Sequence, residues 1–175
     1  MKFKKSVLGA ILVMGMTSAS AFAANNGTIT FSGAITDGSC QIPVSQMTRT
    51  INLDNVGASD LNTASIGTSV QEEALQFDAA YCPNTVTDVA VQFDFTPDAT
   101  NSQYIANTGD AQGVLFGITD ANDTLVANGG SVAADAVSGT GTATVNAKIR
   151  AYRVGSAAPV AGSIASTATV TLITQ

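Results

Sequence analysis

The chain contains no histidine and no tryptophan. Histidine is the usual general base near neutral pH and the commonest metal ligand. Without it, Ser/His/Asp and Cys/His nucleophile systems cannot be assembled. Basic residues are scarce as well, seven Lys and Arg against thirteen Asp and Glu. A nucleic-acid binder needs a basic face, and this balance argues against one. Cysteine occurs twice, at Cys40 and Cys82. No apolar run reaches the roughly 20 residues needed to cross a bilayer, so no integral membrane segment is expected.

The remaining candidates for chemistry are weak. Lys148 is the only lysine beyond residue 5, and it sits in a strand pattern rather than beside a reactive serine. Glu72-Glu73 and Asp120 with Asp123 are carboxylate pairs of the kind glycosidases use. Solvated surface acids are the simpler reading. Asp120-Ala-Asn-Asp123 resembles part of a calcium loop but lacks its glycine and distal glutamate. Ser138-Gly-Thr-Gly141 lacks the lysine of a phosphate loop and reads as a turn. The expectation is a protein that is not an enzyme and uses no metal or other cofactor.

The N-terminus carries an export signal. Met1-Lys-Phe-Lys-Lys5 is basic, Val7 to Met16 is apolar, and Ala21-Phe-Ala23 is a small-x-small cleavage site. This is the layout of a secretory signal peptide, cleaved after Ala23. The predicted division is 1–23 signal peptide, 24–34 N-terminal extension and 35–175 a single domain. The exported part keeps Arg49, Lys148, Arg150 and Arg153, four cations against thirteen acids, a net charge of −9. An exported chain with two cysteines is expected to pair them, and free buried thiols are the alternative. A Cys40–Cys82 bond would constrain the unfolded chain by about 4 kcal/mol in the entropic picture.

Period-2 alternation recurs through the rest of the chain. It marks Thr50–Asp54, Leu75–Tyr81, Val89–Phe95, Thr142–Val154 and Ala168–Thr174. Val114–Ile118 is nearly continuous and reads as buried on both faces. Ser69–Leu75 lacks sustained helical spacing and reads as a loop entering a strand. Turn formers separate the runs, at Asp37-Gly, Asn107–Asp110, Asn128–Gly130 and Ser138–Gly141. The stretch Val126–Gly141 reads as a long hairpin connection. Together these describe an all-β sandwich.

The first segment after the signal stands apart. In Gly27-Thr-Ile-Thr-Phe-Ser-Gly-Ala-Ile35, alternation puts Gly27, Ile29, Phe31, Gly33 and Ile35 on one face. A strand at a chain end with large apolar side chains on one face needs something to bury it. That something is either its own sandwich or another molecule.

Four features resemble the chaperone–usher fimbrial subunits of the type 1 pilin family. They are the opening strand Gly27-Thr-Ile-Thr-Phe-Ser-Gly33, followed seven residues later by Cys40, and the Cys40 to Cys82 separation. They are also Gly162, fourteenth from the end counting Gln175 as first, and the alternating terminal strand with Ala168, Val170, Leu172 and Thr174. The likeness covers the whole chain after the signal. One position departs: the family usually has an aromatic, most often tyrosine, one residue before the end, and here it is Thr174.

The resemblance implies an incomplete immunoglobulin-like β-sandwich that lacks its last strand and is completed by donor-strand complementation. It implies a structural subunit of a fimbria, exported through the periplasm to the cell surface and supporting adhesion. Its partners would be neighbouring pilin subunits in a homopolymer, a periplasmic chaperone and an outer-membrane usher. Gly27, Ile29, Phe31, Gly33 and Ile35 would be the donor face, with the handover to the subunit's own fold near Gly33–Ile35. Gly162 and the terminal strand would serve recognition by the chaperone and usher. The alternative from another class is a small secreted carbohydrate-binding β-sandwich module, poorly supplied here with three tyrosines and no tryptophan.

Overall fold

The computed structural model describes residues 39–53 and 56–175. The predicted signal peptide and the donor-face residues Gly27, Ile29, Phe31, Gly33 and Ile35 lie outside the described residues. Among the described residues, seven strands form two antiparallel sheets. The first holds β1 (Ser69–Ala79), β6 (Ala143–Arg153), β3 (Val114–Asp120) and β4 (Leu125–Val126), in that spatial order. The second holds β5 (Gly130–Ala133), β2 (Val89–Phe95) and β7 (Ala168–Thr174). Two short helices, α1 (Val44–Met47) and α2 (Ala58–Thr63), precede β1. Among the described residues no helix is long and apolar enough to cross a membrane.

Alternation decides which side chains meet between the sheets. Val89, Val91, Phe93 and Phe95 of β2 are all buried, and the residues between them are half-buried. Phe93 meets Phe77 of β1 edge-on, with ring centroids 5.9 Å apart. β6 supplies Val145, Ala147 and Ala151 to the same core. Burying an aliphatic or aromatic side chain contributes about 1.5–3 kcal/mol, so this layer is the main source of stability.

β3 is buried on both faces, as its unbroken apolar run predicts. Val114, Phe116 and Ile118 face the core, while Leu115 lies in a second cluster with Tyr104 and Tyr152. The disulfide joins Cys40 to Cys82, two buried residues, and so ties the start of the described chain to the end of β1.

Three sequence expectations need correction. Ser69–Leu75 is not a loop but the first half of β1, paired with β6 from Tyr152 to Ala147 around an irregularity at Ser69/Gln71. Its alternation is hidden because the strand runs past the core, leaving Glu72, Glu73 and Ala74 exposed. Val126–Gly141 is not a plain connection, since it contains β5, which moves the chain from one sheet to the other. β5 buries only Val132, too little for a visible pattern. The helices α1 and α2 are too short to show 3.6-residue periodicity. Lastly, the run expected as a strand at 50–54 has no strand pairing over its described part, 50–53.

Candidate functional site

That unpaired segment and β7 flank an opening into the core. The alternation of hydrogen bonds along β7 shows which of its edges is free. Gln175 donates its N–H to the Asp88 carbonyl at 3.0 Å and accepts from the Asp88 N–H at 3.1 Å. In an antiparallel pair, every second residue makes this exchange. With the register Ala90↔Ile173, Gln92↔Thr171 and Asp94↔Thr169, the odd-numbered residues of β7 bond to β2. The N–H and C=O groups of Ala168, Val170, Leu172 and Thr174 therefore point to the other edge. Among the described residues β7 pairs with β2 alone.

The same four residues share one face of the strand, because side chains alternate. Val170 and Leu172 rest against the core cluster. Sequence alternation thus brought together the face and the free edge of β7.

The opposite wall is residues 49–53. Among the described residues their backbone makes no hydrogen bond. Between the walls lies a cavity of about 580 Å³. Core side chains from both sheets form its base, including Phe77, Phe93, Phe116, Ile118 and Ile149. Among the described residues the arrangement is a slot with apolar pockets below and a row of unpaired backbone groups beside it. One extended strand would satisfy both. Arg49 is the only charged lining residue among those described, and its guanidinium carbon sits 5.1 Å from the centroid of the Phe77 ring.

The chain entering β7 is held by a close backbone approach. Ala111 donates its N–H to the Ser163 carbonyl at 3.0 Å, and Gln112 and Val160 exchange bonds of 3.1 Å. A Cβ on Gly162 would stand 2.6 Å from the Ala111 nitrogen and 2.8 Å from the Asp110 carbonyl carbon. Gly109 would collide with the Ser163 carbonyl in the same way. Gly162 is therefore required by contact with the 110–111 backbone, just ahead of Ile164 and Ala165, which line the cavity. Thr174, the departure from the family pattern, lies half-buried opposite Val89.

Two side-chain attachments, one of them beside the cavity, were not legible in the sequence. The buried Arg153 guanidinium donates to the carbonyls of Leu61 at 2.6 Å and Asn62 at 2.8 Å. A cation at a helix C-terminus satisfies the last free carbonyls, and this holds α2 against β6. Gln46 is bound to Asp78 of β1 by two hydrogen bonds. Away from the groove, Asp123 takes Lys148 at 2.7 Å and Arg150 at 2.6 Å on the first sheet. The hydrogen bond from Lys148, with help from Arg150, lowers the Asp123 carboxyl below its ordinary value. Among the described residues no group of three or more His, Cys, Asp or Glu side chains could hold a metal ion.

Comparison with known proteins places this architecture. The family model for fimbrial proteins matches residues 29–175. The probable major fimbrial subunit LpfA of Escherichia coli O157:H7 is 33% identical over 140 residues, covering 76% of this chain and 78% of that protein. Among solved structures, a chain from a chaperone–usher pilus superposes with a TM-score of 0.64 at 19% identity, covering 90% of this chain and all of that one. The P pilus rod subunit PapA gives 0.59 at 18% identity, covering 79% of this chain and all of that one. The two structures share the fold; the family model and the LpfA relative carry the identity. The chain belongs to the fimbrial protein family and is a structural subunit of a fimbria.

Proposed function

We propose that the groove between β7 and residues 49–53 is where one subunit receives the N-terminal extension of the next. The observation that carries this is the juxtaposition, among the described residues, of a strand edge without a partner and an unpaired facing segment over an apolar base. The donor would be the extension 24–34 of a second copy, released by cleavage after Ala23, with Ile35 at the handover to that copy's own domain. Its Ile29, Phe31 and Ile35 would fill the pockets, each contributing about 1.5–3 kcal/mol of apolar burial. Gly27 and Gly33 would lie where backbones approach most closely. Ladder bonds to Ala168, Val170, Leu172 and Thr174 would add affinity, as in other cases of strand addition between chains.

Such an interface is head-to-tail and does not close on itself, so it propagates a filament. Before assembly the exposed edge is an aggregation hazard, which a periplasmic chaperone would cover with a strand of its own. At an outer-membrane usher the next subunit would displace that strand. Recognition would read the β7 face and the Gly162 approach, with Thr174 offering a smaller contact than an aromatic. The role needs no catalytic residue, and we assign the chain no enzymatic activity. Family membership replaces the alternative of a carbohydrate-binding module.

The test is removal of residues 24–33 from the exported chain, coexpressed with chaperone and usher. The truncated subunit should accumulate with its Cys40–Cys82 bond formed and fail to extend SDS-resistant ladders. Normal ladders from the truncated chain would refute donation by this segment.

A further inference from the structure

We infer that Gln46 is a positioning residue for the groove, fixing where residues 49–53 leave β1 to become the second wall; this rests on the assembly reading above. Gln41 and Ala80 exchange backbone hydrogen bonds of 2.8 and 2.9 Å, so the chain begins as a partner of β1. By antiparallel alternation the Asp78 N–H points to the same edge. A continuing strand would satisfy it with a backbone carbonyl. The chain instead reaches Pro43 and turns through α1.

The Gln46 side chain replaces the missing backbone. Its Oε1 accepts the Asp78 N–H at 2.7 Å, and its Nε2 donates to Asp78 Oδ2 at 2.8 Å. Asp78 is steadied by Gln76, donating to Oδ1 at 2.8 Å, and by Thr144, donating to Oδ1 at 3.0 Å. The edge is thereby closed by a side chain while the backbone departs. Arg49, where the wall begins, is three residues on. The backbone of 49–53 makes no hydrogen bond among the described residues; Ile51 and Leu53 pack on the core and Arg49 sits over Phe77, so its backbone direction is fixed by how the chain enters it. Gln46 makes the hydrogen bonds to β1 just ahead of the wall, and it also lines the cavity.

A charge swap tests this. Gln46→Glu sets a carboxylate against Asp78. Adding Asp78→Asn restores a donor–acceptor pair, because the new carboxylate accepts from both the backbone N–H and the new amide. Arg49 is the only Lys or Arg between residues 6 and 147, so trypsin cleavage after it reports the wall directly. The full chain is coexpressed with chaperone and usher, and cleavage and SDS-resistant ladders are both measured. In Q46E, cleavage should rise and ladders fall by about tenfold, the fold-change matching a lost charge-assisted hydrogen bond, with the disulfide formed. The Q46E/D78N chain should return both to within about twofold of wild type, the swap having restored the pairing.

Unchanged cleavage and ladders in Q46E overturn the inference, as does a double variant no better than Q46E. If Q46E does not accumulate, Gln46→Met, similar in length and lacking both bonds, takes its place with the same single-variant expectation. A wild-type chain that forms no ladder overturns the assembly reading, and this dependence falls with it. A wild-type ladder beside an unaffected Q46E overturns this inference alone.

Discussion

Two strand edges of this molecule are finished in opposite ways. The outer edge of β1 is closed: Gln41 bridges to Ala80, the Gln46 side chain caps Asp78, and Glu72 and Glu73 are exposed beyond the core. Those are the devices by which sheets avoid pairing with strangers. The edge of β7 has none of them. Ala-Thr-Val-Thr-Leu-Ile-Thr carries no charge and no proline, and two of its inward side chains lean on an open core. Short, uncharged, β-branched segments with a free edge are the ones most prone to add strands. Among the described residues, one edge is protected by these devices and the other is not.

The sharpest way to break this contrast is proline, which removes one N–H at a chosen side of β7. Thr171→Pro removes a bond to β2 and should destabilise the subunit by about 3 kcal/mol or more. Val170→Pro removes an N–H facing the groove, so the loss should fall on uptake of the incoming strand. Denaturant midpoints of the subunit and its SDS-resistant ladders separate the two. Equal destabilisation of the subunit by both would mean that the alternation has been misassigned.

A smaller effect is expected from Gly162→Ala. The added methyl meets backbone atoms of 110–111, which can give way only by moving the segment that feeds β7. Overpacking of this kind costs about 1–3 kcal/mol, readable as a lower melting temperature. An unchanged melting temperature would show the approach to be looser than described.

The smallest effect concerns acid. Hydrogen bonds from Gln76, then Gln46 and Thr144, hold the Asp78 carboxyl below its ordinary range. A depressed folded-state value means the contribution is present above the unfolded value and lost as pH falls through the folded one. The β1 edge should therefore loosen as pH drops below about 4. β7 has no ionisable side chain, so its edge should not respond. Amide exchange at Asp78 and at Val170, compared across that range, checks the difference. A parallel change at both sites would remove the distinction between the edges.

Much of the sandwich was legible in the sequence because alternation is strong where both faces are defined. Val89–Phe95 shows this, with buried residues at every second position. The first half of β1 was hidden because it overruns the core, and β5 because one buried valine makes no pattern. Residues 50–53 taught most. Their alternation is that of a strand, yet they pair with nothing among the described residues, and alternation alone does not say which segment is the partner. Gln46 and Arg153 gave no signal, since a side chain that stands in for backbone is defined by where the chain turns. Ala168, Val170, Leu172 and Thr174 were found from period alone, but only the register with β2 shows that their backbone faces the groove.

Residue-resolved amide exchange on a subunit lacking residues 24–33, with and without a synthetic peptide of residues 24–35, tests the central claim most directly. Without peptide, the amides of Thr169, Thr171 and Ile173 should be protected, and those of Val170, Leu172 and Thr174 should exchange freely. Adding the peptide should protect the second set and leave the first unchanged. Protection of Val170 and Leu172 without peptide, or no response to it, would contradict the account.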